Sequence, residues 1–273
     1  MVLTGGPRVK RSRLVTALVL MAAACTGTTA PTDIGDAVAV VRVLDGDSLV
    51  ARRDGADIEV RLLGINAPER DECYHDQARA RTVELAADRV LLAGTDRDRF
   101  GRLLAYAYAP DGALINQQLI AEGSALALSI DHPLLSEFKA AEAIAFEQRL
   151  GRWQRNACGP ATGTALGIAE VRYDAPGDDA RNSNGEWIDI VNRGPDPAPL
   201  AGWEIQDESS SHRFGFPEGF SLGPGDRVRI SSGCGMPSGE RLFWCDEDPV
   251  WNNGGDTAYL LDPAGNVVDR YAF

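Results

Sequence analysis

Three short clusters bring together residue types that can work on a phosphoryl group. They are Asp45 and Asp47 in LDGDS, Arg61, Asn66 and Glu69 in VRLLGINAPE, and Arg102 in DRDRFGRLLAYAY. Guanidinium forks match the oxygens of a phosphoryl group as charge builds on them. Carboxylate, amide and carbonyl oxygens suit a hard cation such as calcium. A carboxylate within reach of a bound water can take its proton. The plainer reading is also open, because Gly64 and Pro68 are ordinary punctuation after a strand and Arg61 and Glu69 could be a solvated pair. Other chemistries find no support. DRDRFG imitates the start of a calcium loop, but Ala107 stands where a bidentate glutamate is required. His75, His132 and His212 have no zinc spacing, and neither a G-x-S-x-G nor a phosphate-loop pattern occurs.

The elements that must position these residues read as strands with three helices. Strands are predicted at AVAVVRVL, SLVARR and IEVRLLGI, with Asp54-Gly55 turning the last two into a hairpin. A helix follows over 76–86, then strands at RVLLAG and RLLAYAYA, and a helix over 114–122. A last helix is predicted over 133–150, with Pro133 in its first turn and Gly151 past its end. Its buried stripe is Leu134, Phe138, Ala141 and Ala145. CGPATGTALG then breaks the pattern, and beyond it short apolar runs recur between Gly, Pro, Asn and Asp, the spacing of a β-sandwich.

The start of the chain reads as an export leader. Arg8, Lys10, Arg11 and Arg13 precede the apolar run LVTALVLMAAA, which is too short to span a bilayer, and Cys25 follows it. Ala-Ala-Cys resembles a bacterial lipobox, which implies lipidation of Cys25; plain cleavage nearby is the alternative. Of five cysteines, four then remain, and we pair them in order as Cys73–Cys158 and Cys234–Cys245, one bridge per domain, as an exported chain allows. The net charge is −13, most of it carried by the second half. Such a chain is a poor general binder of polyanions, so nucleic-acid chemistry here needs a local positive site.

Together, the order and spacing of the three clusters resemble the staphylococcal nuclease (thermonuclease) family over roughly 38–153, where GRW is similar to the family's closing Gly-Leu-Trp. The resemblance implies an OB-fold five-stranded β-barrel with three helices. It implies a calcium-dependent phosphodiesterase acting on DNA and RNA and leaving 3′-phosphates. Matched motif by motif, Asp47 would be a calcium ligand, with Asn66 and the carbonyl of Ala67 completing the protein's share. Asp45 would support Asp47, Glu69 would be the general base, and Arg61 and Arg102 would hold the phosphate, all in one cavity. Four positions depart from the pattern. Asn66 stands for an aspartate and brings no charge, which implies weak calcium binding. Phe100 stands for a tyrosine, and Ser129 and Asp131 stand for two tyrosines that flank the nucleotide.

GEWIDIVNRG, PLAGWEIQDES, FPEGFSLGPGDRVRI and VWNNGGDTAYLLDPAGNVVDRY resemble the lamin tail domain, an all-β immunoglobulin-like sandwich, which implies binding or placement rather than catalysis. Trp187, Trp203 and Trp251 are expected in its core, and DAPGDD is expected to be a solvated loop. The expected organisation is a signal peptide (1–25), a tether (26–36), the nuclease-like domain (37–159), a linker (160–166) and the sandwich (167–273). The expected protein is an exported calcium-dependent nuclease, lipid-anchored through Cys25 or secreted. Its substrate would be DNA or RNA, and the sandwich's partner is open. The rival is an inactive OB module that binds nucleic acid or protein at the cell surface.

Overall fold

A computed structural model describes residues 35–178, 181–209, 211–246 and 249–273. The leader, Cys25 and most of the tether lie outside the described residues, as does the end of DAPGDD. Among the described residues no helix is long and apolar enough to cross a membrane.

The first half closes into a barrel of five strands. These are β1 (Ala37–Val43), β2 (Ser48–Arg53), β3 (Ala56–Leu62), β5 (Arg89–Ala93) and β6 (Leu103–Tyr108), in the order β1-β2-β3-β6-β5. β3 and β6 run parallel and the other pairs are antiparallel. The parallel pair sets Arg61 beside Leu104 and so brings the Arg61 strand and the Arg102 loop to one end of the barrel. Asp54 and Gly55 turn the β2–β3 hairpin with positive φ at both residues, as a tight hairpin requires. A two-residue strand β4 (Ile65–Asn66) pairs with β7 (Leu126–Ala127) and fixes the turn after β3.

Three helices cover the barrel: α1 (His75–Ala86), α2 (Ile115–Ala121) and α3 (Leu135–Glu147). α3 is shorter at both ends than the sequence predicts. Arg149 and Gly151 both take positive φ, so the chain leaves the helix before Leu150. Leu134, Phe138 and Ala145 are buried and Ala141 is half-buried, but the same face also buries Glu142.

The second half is a sandwich of two four-stranded sheets. One holds β8 (Leu166–Arg172), β9 (Trp187–Asn192), β14 (Arg227–Ser231) and β15 (Arg241–Phe243). The other holds β11 (Glu204–Gln206), β12 (Arg213–Gly215), β16 (Thr257–Leu261) and β17 (Val267–Ala272), and β10 (Ala198–Pro199) pairs with β13 (Ser221–Leu222) at the side. Trp203 and Trp251 are buried in this core, whereas Trp187, expected there too, is buried on the other face of β9, with the Arg229 guanidinium 3.4 Å from its ring centre.

The two halves share a core. Leu126, Ala145 and Trp153 of the barrel half pack with Tyr259 and Leu261 of the sandwich, and the Trp153 and Tyr259 rings stack at 5.8 Å. Glu142 is met there by two groups of the sandwich. Tyr259 Oη donates to Glu142 Oε1 at 3.1 Å and Arg270 Nη1 pairs with Oε2 at 3.1 Å. Burial pushes the Glu142 carboxyl up, opposed by the positive charges of Lys139 and Arg270. A charged residue in an apolar helix stripe is costly unless it is paired, and here the Ala127 N–H of its own domain is joined by two partners from the other domain. Cys73 is bonded to Cys158 and Cys234 to Cys245. The first bridge ties the start of α1 to the chain's exit from the barrel, and Gly265 of the sandwich packs against it.

Candidate functional site

The site is built around a loop pressed against a turn. Gly46, between β1 and β2, lies so close to Ala67 that a Cβ there would fall 2.5 Å from the Ala67 methyl. α1 holds this loop, because Thr82 Oγ1 donates to the Gly46 carbonyl at 2.7 Å. The turn after β3 needs Gly64 in the left-handed region, φ +78°, and its missing side chain admits the His132 ring. His132 accepts at Nδ1 from the Leu134 N–H, at 3.2 Å, and lies 2.7 Å from Tyr106 Oη. Burial pushes its pKa down, so the ring serves as a neutral strut for the turn.

Asp47 is buried between loop and turn. Its Oδ2 accepts from the Ala67 N–H at 2.6 Å, and its Oδ1 accepts from Ser48 Oγ at 2.9 Å. Asp45 Oδ1 accepts from the Asp47 N–H at 3.0 Å, which holds the loop in shape. Burial pushes the Asp47 carboxyl up to about 6, with Arg61 opposing and Asp45 adding to the rise.

Arg61 folds back over this cluster. Its Nη1 donates to the carbonyls of Leu62 and Ile65, at 3.0 and 2.7 Å. Its Nη2 lies 3.1 Å from both Asn66 Oδ1 and Asp47 Oδ2. Arg102 is held differently, by Asp98. Asp98 Oδ1 accepts from the Phe100 and Arg102 N–H groups, and Oδ2 pairs with Arg102 Nε at 2.7 Å. Both arginines line one cleft of about 430 Å³, with Gly64, Phe100, Leu128 and Ile130 among its other walls. Phe100 is 69% exposed, and the Arg99 and Arg102 guanidiniums lie 4.8 and 5.5 Å from its ring centre.

The structure therefore gathers Asp45, Asp47, Arg61, Asn66 and Ala67 into one cluster and sets Arg102 across a shared cleft. Glu69 is placed elsewhere. It is exposed, makes no side-chain hydrogen bond or ion pair among the described residues, and lines a separate cavity of about 630 Å³ at the domain junction. That corrects the expectation of one cavity for ligand, base and arginines. Ala67 and Pro68, both buried, separate Asn66 from the exposed Glu69.

A second departure concerns Asn66, whose amide has a partner on each side. Its Oδ1 accepts from Arg61, and its Nδ2 donates to the backbone carbonyl of Glu208, from the sandwich, at 3.0 Å. Asp98, His132 and Glu208 all shape the site and none was singled out from the sequence. Asp98 could have been found, since an aspartate four residues before Arg102 in a turn is a standard way to hold a loop and its arginine together. Glu208 lies 142 positions from Asn66, a separation that no local pattern reports.

Comparison with known proteins fits this geometry. A family model described as staphylococcal nuclease homologue matches residues 59–155, and one described as Lamin Tail Domain matches residues 160–273. An uncharacterized endonuclease of Escherichia coli is 38% identical over 87 residues, covering 32% of this chain and 57% of that protein. Micrococcal nuclease of Shigella flexneri is 34% identical over 124 residues, covering 42% of this chain and 71% of that enzyme. Thermonuclease of Staphylococcus intermedius is 34% identical over 106 residues, covering 35% of this chain and 62% of that enzyme. The chain thus spans less than two thirds of the length of two of these three relatives.

Proposed function

The chain belongs to the staphylococcal nuclease family through its first domain and carries a lamin tail domain behind it, and from that premise we propose that it is an exported, calcium-dependent nuclease hydrolysing phosphodiester bonds of DNA or RNA. The observation that carries this reading is the cleft shared by Arg61 and Arg102 beside the buried Asp47. Two guanidiniums on one cleft supply the local positive site that an acidic chain needs to take a phosphodiester. The exposed ring of Phe100 offers a face on which a base can stack.

The donor set fits a hard cation. Asp47, Asn66 and the Ala67 carbonyl are all oxygen ligands, and Arg61 Nη2 already sits 3.1 Å from two of them. Those two oxygens therefore favour a positive charge between them. The raised pKa of Asp47 points the same way, because its buried charge is not fully balanced by one arginine. Calcium, when bound, would supply charge to offset that building on the phosphate oxygens. In this reading, Asp47, Asn66 and Ala67 hold the ion and Arg61 is released from Asp47 and Asn66 toward the phosphate. Arg102, kept in place by Asp98, braces the same phosphate from the opposite wall. Glu69, three residues past Asn66, would take a proton from the attacking water on turning from the junction cavity toward the cleft, and no side chain among the described residues ties it down. Export by the N-terminal leader, with a lipid on Cys25 or plain cleavage, belongs to the same proposal.

The four internal bonds of Arg61 favour a second reading, an inactive OB module that binds nucleic acid or protein. Incubating the two-domain chain with single-stranded DNA, with calcium and then with chelator, separates the two. Cleavage that requires calcium supports the enzyme, whereas binding without cleavage supports the module.

A further inference from the structure

We infer that the lamin tail domain is a working part of the nuclease site and that Glu208 is the positioning residue through which it acts. The inference rests on the nuclease reading and goes beyond it, since the sandwich otherwise has no part in the reaction.

Glu208 leaves the end of β11 and enters the barrel half, where its side chain is 3% exposed. Its carboxylate is held by three donors of the nuclease domain. Ser129 N–H donates to Oε2 at 2.6 Å, Ser129 Oγ donates to Oε1 at 3.1 Å, and the Lys139 ammonium closes on Oε1. Lys139 also donates to the Ala127 carbonyl at 2.8 Å, so one ammonium clamps β7 and the incoming carboxylate together. A charged anchor with this many partners fixes its own backbone.

That backbone then does two things at the site. The Glu208 carbonyl accepts from Asn66 Nδ2, and this settles which way the amide faces. A carbonyl can only accept and a guanidinium can only donate, so Asn66 must turn Nδ2 to Glu208 and Oδ1 to Arg61. The amide oxygen is thereby aimed at the cation position by the second domain. The same carboxylate holds Ser129, whose neighbours Leu128 and Ile130 form a wall of the cleft that Arg61 and Arg102 share. Glu208 thus touches neither substrate nor ion and acts through Asn66 and this wall.

It also explains why position 66 carries an amide. A carboxylate there would turn an oxygen toward the Glu208 carbonyl, acceptor against acceptor. Asn66 is the residue that suits a nuclease site finished by another domain.

The test uses the two-domain chain and compares wild type with Glu208→Ala, Glu208→Gln, Ser129→Ala and Tyr259→Phe. Tyr259→Phe removes a contact between the domains without touching the Glu208 anchor. Three quantities are read: kcat and KM on single-stranded DNA, calcium binding by calorimetry without nucleic acid, and the Asn66 side-chain amide signals by NMR without metal. Glu208→Ala is expected to lower kcat and calcium affinity by about tenfold, the lower range for partners that orient a metal ligand, with KM little changed and the Asn66 signals shifted. Ser129→Ala should move all three in the same direction by less, and Glu208→Gln, which keeps an acceptor for Ser129, should recover most of the loss. Tyr259→Phe should leave kcat at the wild-type value. The inference is overturned if the Asn66 signals stay in place in Glu208→Ala, or if kcat is unchanged. It is also overturned if kcat rises, because Glu208 would then be a plug over an anion site. A wild type that does not cleave, with Asn66 signals that still shift in Glu208→Ala, would sink the nuclease reading and leave the positioning of Asn66 standing.

Discussion

Arg61 Nη2 lies 3.1 Å from Asp47 Oδ2, and the two side chains are only 15% and 8% exposed. The pair joins the loop after β1 to the turn after β3, and it keeps a positive charge beside a carboxylate that burial disfavours. Asp47 still titrates near 6 rather than near its ordinary 3.8. Because the folded value is raised, this group's favourable contribution is complete below about 3.8 and is lost as pH rises through about 6. Without metal, Asp47→Asn should therefore gain thermal stability over wild type at pH 8 and gain much less at pH 4. Melting curves of both proteins in chelator across that range check it. A constant difference would show that the fold does not raise the Asp47 pKa.

Glu69→Gln is expected to lose at least about a hundredfold in kcat, the lower range for a positioned base. Its melting temperature should match wild type, because the carboxylate is exposed and bonded to nothing among the described residues. Turnover near the wild-type value would remove Glu69 from the mechanism.

Asn66→Asp adds charge at the cation position but sets a carboxylate oxygen against the Glu208 carbonyl. The lost hydrogen bond and the unsatisfied carbonyl together should cost about 1–3 kcal/mol of stability. Calcium affinity should improve by less than the added charge alone implies. Chemical denaturation and a calcium titration of the same preparation decide it. A stable variant with much tighter calcium binding would mean that the Glu208 contact does not orient this side chain.

Arg270→Met tests the join between the domains. It leaves Glu142, 1% exposed at its side chain, without its one direct ion pair among the described residues. Removing one partner of a buried pair typically costs about 3–5 kcal/mol. The loss should appear in one cooperative transition, since Trp153 and Tyr259 place both halves in a common core. Two separated transitions would show that the domains unfold independently.

These predictions divide along the line of what local sequence can report. The barrel strands and the hairpin at Asp54-Gly55 were legible because side-chain alternation and turn chemistry act over a few residues. The two-domain order was legible from the breaking residues after Cys158. The cluster of Asp47, Arg61 and Asn66 was legible as a set of types at a given spacing. What was not legible depends on tertiary packing. Glu142 lies outside the predicted stripe of Leu134, Phe138, Ala141 and Ala145, yet Arg270 and Tyr259 meet it from the other domain. Asn66 reads as a weakened ligand until Glu208 takes its Nδ2. Glu69 was expected in the arginine cleft but lines the cavity at the domain junction instead. Each of these depends on where a segment many positions away comes to rest.

The most direct measurement is cleavage of single-stranded DNA by the two-domain chain, followed with calcium, with chelator, and with calcium restored, beside Glu69→Gln under the same conditions. The expected result is cleavage with calcium, none with chelator, recovery on restoring calcium, and a large loss in the variant. Cleavage that persists in chelator, or that is the same in wild type and Glu69→Gln, would contradict the assignment of this cluster as a calcium-dependent nuclease site.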